Sequence, residues 1–184
     1  MVTKTRITVD EYLAMEELEG RRTNLIDGEI VVMEPTLWHQ RAIVEIAAAL
    51  LAWEKGGPGR GLVSMPLDIK LDDFNVYAPD VLWYAQHRAP EIMAPRPYAM
   101  PDLVAEVRSP STWRYDVGRK KSGYEAFGAR ELWLIDFSAV LVFRRSDPKQ
   151  PTFDATLELT PEQTLSSPLL PGFELALASL YPAA

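Results

Sequence analysis

Two hydrophobic periods alternate along this chain, and their order limits the folds open to it. From about Leu37 to Glu54 the apolar residues Ile43, Ile46, Ala47, Leu50 and Trp53 recur at intervals of three and four. That spacing predicts a long helix with one buried face, and Gly56-Gly57-Pro58 closes it. In LVSMPLDIKL, from Leu62 to Leu71, the period changes to two, with Leu67, Ile69 and Leu71 alternating with Asp68, Lys70 and Asp72. That is the pattern of a half-exposed strand. Ahead of these, Thr8 is placed to cap a helix reaching about Glu19 and ended by Gly20. NLIDGEIVVM predicts a hairpin turning at Asp27-Gly28, because both turn residues tolerate positive φ.

Further on, VYAPDVLWYA, LVAEVRS, ELWLIDF and LVFRRS read as strands, and a proline-rich connection from Ala89 to Pro101 separates the first two. A helix over Trp113 to Phe127, with Gly128 after it, lies between the second and third. The order is helix, hairpin, helix, strands, helix, strands. It predicts an α/β or α+β protein with helices packed on a sheet.

A chain of 184 residues that is 47% hydrophobic can bury a real core. We expect a single domain over residues 1–184, with a less regular, β-rich C-terminal part from about Pro148. The absence of cysteine excludes disulfides, thiolate zinc sites and cysteine nucleophiles, so any metal must sit on oxygen or histidine ligands. The N-terminal twenty residues carry scattered charges and no uninterrupted apolar run, which predicts a soluble, cytoplasmic protein with no membrane partner. A net charge of -7 argues against a surface that grips nucleic acid all over. The stretch from Glu106 to Arg130 is locally different: Arg108, Arg114, Arg119, Lys120, Lys121 and Arg130 stand against Glu106, Asp116 and Glu125.

Inside that stretch LVAEVRSPST places a carboxylate, Glu106, at the centre of an apolar strand. Alternation puts Val104, Glu106 and Arg108 on one face, and an exposed face carrying an ordinary Glu106/Arg108 neighbour pair would explain it. Asp80 likewise interrupts an apolar strand after Pro79, where an Asp could simply satisfy backbone donors. Lys120 follows Asp116 and precedes Tyr124 by four residues, so the three share a helix face, and an i,i+4 ion pair is its plain reading. Together, however, two carboxylates on consecutive strands and a lysine on the next helix are the parts of metal-assisted phosphodiester hydrolysis. A hard cation on the carboxylates polarises phosphate and activates water, and the lysine orients that water or steadies developing charge.

These motifs, NLIDGEIVVMEP, His39-Gln40 heading a helix, APDVLW, PDLVAEVRSPST, the D-x3-K-x3-Y of Asp116 to Tyr124, and GARELWLIDF, resemble the Uma-two family of the PD-(D/E)XK restriction-endonuclease-like superfamily. The resemblance runs from the N-terminal helix to the closing PLLPGFEL. It implies a restriction-endonuclease-like mixed central β-sheet flanked by helices, and a Mg2+- or Mn2+-dependent endonuclease acting on DNA. Asp80 and Glu106 then correspond to the catalytic acids, holding the metal with the backbone carbonyl of Val107. The usual lysine two residues after the second acid is replaced by Arg108, so the resemblance implies a lysine migrated to the helix: Lys120, with Lys121 the alternative one position on.

Glu29, His39, Asp116 and Tyr124 are auxiliary candidates, and Arg108, Arg114, Arg119 and Lys121 are candidate substrate contacts. Asn24 stands where the family usually has an acid. A homodimer is also expected, through exposed tryptophans or the apolar C-terminus. Two other readings stay open: a catalytically silent descendant that binds nucleic acid or protein, and a paired-carboxylate enzyme such as a glycoside hydrolase.

Overall fold

The structure, a computed structural model, describes residues 6–15 and 22–182. Helix α1 (Val9–Ala14) starts as expected, with Thr8 and Glu11 forming a reciprocal capping box. It ends earlier than expected, with Met15 extended, whereas the predicted stop at Glu19 and Gly20 lies outside the described residues.

Strands β1 (Thr23–Ile26) and β2 (Glu29–Val32) form the predicted hairpin, with Ile26 opposite Glu29. Asp27 and Gly28 take φ of 52° and 77°, as such a tight turn demands. Helix α2 (Leu37–Lys55) is capped by the Thr36 side chain, and Ile43, Ile46, Ala47, Leu50 and Trp53 are all buried.

The next two predicted strands are each divided. β3 (Leu62–Ser64) and β4 (Ile69–Asp72) flank Pro66, while β5 (Asn75–Tyr77) and β6 (Val81–Tyr84) flank Pro79. Proline lacks the donor a ladder needs, and at each break the chain passes from one sheet to another. A four-stranded antiparallel sheet has the order β2-β1-β5-β4.

The six-stranded sheet adds β7 (Leu103–Val107), β8 (Glu131–Ile135), β9 (Val140–Arg144) and β10 (Ala155–Leu159), in the order β10-β9-β8-β7-β6-β3. Within it β7 and β8 run parallel and the other neighbours antiparallel, so the β7–β8 connection must cross over the sheet. That connection is helical: α3 (Trp113–Tyr115), a π-helical turn (Asp116–Lys120) and α4 (Lys121–Ala126). The sequence predicts an uninterrupted α-helix here. Instead the Lys121 N–H bonds Asp116 O, five residues back, and Gly118 within the turn weakens the helical preference locally. The C-terminal part closes with β11 (Thr164–Leu165), β12 (Leu175–Ala176) and a 3-10 turn over Leu177–Leu180.

One face of the large sheet, including Leu103, Ala105 and Val107, packs against α2 and against Leu165, Leu170, Phe173, Leu177 and Leu180. The other, including Leu82, Val104, Leu132 and Leu134, packs against Tyr124 of the crossover and against Ile26, Ile69 and Tyr77. Both faces of β7 are therefore covered. The alternation along LVAEV holds, but Glu106 looks into an interface between layers, and the exposed-face explanation fails.

The crossover fits closely because of Gly123: a Cβ there would come within 2.7 Å of Tyr77 Cε2 and 2.9 Å of Leu71 Cδ2. Tyr124 then meets Tyr77 edge to face, with ring centroids 5.5 Å apart. Trp53, Trp83 and Trp133 are buried and Trp38 and Trp113 partly so, while the apolar C-terminus lines the core. The two features from which a dimer was expected are thus occupied within the chain.

Candidate active site

β6 and β7 are antiparallel, with Val81 opposite Ala105. Continuing that register by one residue sets Asp80 beside Glu106. The Ala78-Pro79-Asp80 segment is held by Asn24, whose Oδ1 accepts the Ala78 N–H at 2.7 Å. Asn24, where the family usually has an acid, therefore has a positioning role that the sequence did not disclose.

Asp80 Oδ2 accepts the Val107 N–H at 2.8 Å and lies 3.3 Å from His39 Nε2. Its Oδ1 is buried with no protein hydrogen-bond partner, and so is His39 Nδ1. Asp80 does satisfy a backbone donor, as its plain reading held, yet one of its oxygens is left over.

Lys120 is 1% exposed, and its Nζ lies 2.6 Å from Glu106 Oε1 and 3.0 Å from Asp116 Oδ1. The Tyr124 hydroxyl donates a short hydrogen bond to the same Glu106 Oε1. Asp116 is held in turn by Thr112, whose hydroxyl donates to Oδ2 at 3.0 Å and pairs with Ser109 Oγ at 2.7 Å. Ser109 and Thr112 were not singled out from the sequence. Their signal is the Ser-Pro-Ser-Thr run before a helix, a composition suited to local side-chain capping.

The structure brings Asp116, Lys120 and Tyr124 together with Glu106, and it joins His39 to Asp80. Lys121 points elsewhere, its Nζ lying 4.5 Å from the centre of the Phe143 ring, so Lys120 is the lysine at the carboxylates. Glu29 is exposed at the start of β2.

The electrostatics follow from three carboxylates sharing one buried ammonium. Burial pushes the Glu106 carboxyl up to about 8, with Asp116 and Asp80 adding repulsion and Lys120 opposing. Burial also raises Asp116 against the pull of Lys120. Burial alone would lower Lys120, but Asp116, Glu106 and Asp80 outweigh it and hold the ammonium charged. Tyr124 is raised well above its ordinary value by burial and then by Glu106, so it remains a neutral donor.

The basic stretch is less exposed electrostatically than its composition suggests. Arg108 pairs with Asp136 at 2.7 Å, Arg119 with Asp27 at 3.2 Å, Arg130 with Asp102 at 4.0 Å, and Lys120 is buried against its carboxylates. Arg114 is exposed and lies over its neighbour Tyr115, 4.7 Å from the ring centre.

Among the described residues no group of three or more His, Asp or Glu side chains is placed to hold a metal. The donors do suit a hard cation that keeps most of its water: Asp80 Oδ1 is unpartnered, Glu106 is adjacent, and the cluster holds more carboxylates than ammonium groups. Mg2+ is commonly bound by one or two carboxylates plus water rather than by a full protein cage.

A mixed six-stranded sheet with acids at the ends of two adjacent central strands and a helical crossover packed over them is a restriction-endonuclease-like nuclease fold. A solved structure described as a "putative nuclease belonging to DUF820" from Anabaena variabilis matches this chain with a TM-score of 0.77 at 23% identity, covering 95% of this chain and 97% of that one. The sequence model of the family described as "Uma2: Putative restriction endonuclease" matches residues 9–178, and the chain belongs to that family. No curated protein matches the sequence. Among the described residues no helix is long and apolar enough to cross a membrane.

Proposed function

We propose that this chain is a metal-dependent endonuclease that hydrolyses DNA phosphodiester bonds, with Mg2+ or Mn2+ held by Asp80, Glu106 and the Val107 carbonyl. The observation that carries the reading is the Lys120 ammonium, buried against Glu106 and Asp116 beside the strand end that bears Asp80. A lysine serving only as an i,i+4 surface partner would lie in water, where such a pair contributes a few tenths of a kcal/mol. A bound cation would supply polarisation of the phosphate and a water of lowered pKa.

The chain's own residues do the rest. Asp116 and Glu106 take two of the three Nζ protons, leaving one for the attacking water or a phosphate oxygen. Tyr124 and Lys120 together fix Glu106 Oε1, so the other carboxylate oxygen is the one presented to a cation. His39 and the Val107 N–H fix Asp80 Oδ2 in the same way and present Oδ1. Two such chains as a homodimer would be able to cut both strands of a duplex.

A second reading, the catalytically silent descendant, is favoured by the missing third side-chain ligand among the described residues. Calorimetry with Mg2+ or Mn2+ on wild type, Asp80→Ala and Glu106→Ala, followed by incubation with supercoiled plasmid, separates the two. Metal binding and nicking lost in both variants support the nuclease. Equal weak binding by all three proteins with no nicking makes the silent binder the correct account.

A further inference from the structure

The strand that carries Glu106 continues to Arg108, and there the site borders an aromatic surface. The Arg108 guanidinium, bound to Asp136 at 2.7 Å, lies 4.7 Å from the centre of the Phe137 ring and 5.6 Å from that of Trp113. Trp38, the residue before His39, meets Phe137 with centroids 4.9 Å apart. Trp38 is itself pinned by its Nε1, which donates to Leu180 O at 2.9 Å. Phe137 nevertheless remains 54% exposed at the turn between β8 and β9, and its N–H is tied to Asp136 Oδ1 at 2.6 Å. Leu37, next to Trp38 in the chain, is 81% exposed.

Single exposed apolar residues are ordinary. This one is different in being buttressed by Trp38 and Arg108, each close in sequence to an acid or its partner at the site. The charge of Arg108 is already met by Asp136, so the exposed part of Phe137 offers aromatic surface more than a phosphate contact. Arg108, Arg119 and Arg130 each face a carboxylate, which weakens their attraction for a duplex backbone, whose binding depends on positive charge.

We propose that Phe137, set by Trp38 and Arg108, stacks an unpaired base beside the phosphate to be cut, so that the substrate is single-stranded or locally opened nucleic acid. A paired base has both faces covered by its neighbours in the stack, whereas an unpaired base can lend one to an aromatic ring. The proposal rests on the nuclease reading for its geometry, but its test does not require cleavage.

The test is fluorescence titration, in EDTA, of wild type, Phe137→Ala and Phe137→Trp against an oligonucleotide carrying 2-aminopurine, both single-stranded and annealed as a blunt duplex. Quenching of the single strand by wild type, about tenfold weaker single-strand binding by Phe137→Ala, unchanged duplex binding and full retention by Phe137→Trp are expected. Circular dichroism establishes that both variants fold. Equal losses on both substrates, unaltered single-strand binding, or a change in sedimentation showing that Phe137 faces a second copy would each overturn the proposal. Plasmid nicking that needs Asp80, combined with binding indifferent to Phe137, defeats the stacking platform alone. Phe137-dependent quenching with no nicking under any metal defeats the nuclease reading and leaves the platform.

Discussion

Replacing Glu106 by glutamine offers a quantitative test of what burial does to this site. In the folded chain the Glu106 carboxyl is raised to about 8 from an ordinary 4.5. Below pH 4.5 it is protonated whether the chain is folded or not, and the stability this provides is fully present. Between 4.5 and 8 the unfolded chain releases the proton while the folded chain keeps it, so stability is lost at about 1.4 kcal/mol per pH unit, reaching about 3 kcal/mol by pH 7. The glutamine side chain of the variant does not titrate, and its amide oxygen can still accept from Tyr124. The difference in unfolding free energy between Glu106→Gln and wild type should therefore move in favour of the variant by about 3 kcal/mol between pH 4.5 and pH 7. Urea unfolding in EDTA, followed by tryptophan fluorescence, measures it, since Trp133 is buried and stacked on Phe173. Parallel stability profiles for the two proteins across that range would show that Glu106 is ionised throughout, with Lys120 outweighing burial, and the reasoning would be refuted. Catalysis should be lost in the variant at every pH, so stability and activity part company at one residue.

The remaining residues of the site give sharper single outcomes. Lys120→Met removes a donor to Glu106 and leaves Asp116 buried without its cation, and should cost about 3 to 5 kcal/mol near neutral pH, read as a fall in thermal midpoint that acid partly reverses. Gly123→Ala drives a methyl into Tyr77 and Leu71 and should cost about 1 to 3 kcal/mol in urea unfolding, with nicking reduced because Lys120 and Tyr124 ride on the same crossover. Thr112→Val removes the hydroxyl that Asp116 Oδ2 accepts and should cost about 1 to 3 kcal/mol, whereas Thr112→Ser should restore most of it. Metal binding has to displace the proton that burial retains on Glu106, so affinity should rise from pH 6 to pH 8; calorimetry in two buffers of different ionisation enthalpy would register the proton released.

Much of the scaffold was legible because it rests on local rules. Thr8, Asp27-Gly28 and the three-four spacing after Leu37 each act within a few residues, and they mark a helix start, a turn and a helix where each was expected, although α1 ends at Ala14. The divided strands were less legible. Pro66 and Pro79 announce breaks, but only the three-dimensional arrangement says that the chain leaves one sheet for another at each of them. Glu106 was correctly marked as out of place, yet alternation alone could not tell a solvated face from a second packed layer, since that depends on the crossover returning over β7. Nor could it supply the Thr112 support of Asp116 or the Asn24 clasp on Ala78, which join residues through the fold. The pairing within the positive stretch was illegible for the opposite reason: Asp27, Asp102 and Asp136, which face its arginines, lie outside the window in which charge was counted.

The lysine's place on the crossover changes how such a site is held together. A lysine two residues beyond Glu106 would share the rigid ladder of β7, and its distance from the carboxylate would be fixed by strand geometry. Lys120 depends instead on a helical segment whose approach is set by Gly123 against Tyr77 and Leu71, and whose phase is set by a π-turn ending at the lysine itself. That turn brings Asp116 and Lys120 onto the sheet with Tyr124 one turn further, so a carboxylate, an ammonium and a phenol reach the Glu106 site from one short stretch. The arrangement leaves position 108 free for a residue directed out of the sheet, and Arg108 uses it to reach Asp136 and Phe137. With Lys120 on the crossover, the helix supplies the buried charge beside Glu106, and the strand end carries Arg108 to the surface beside it.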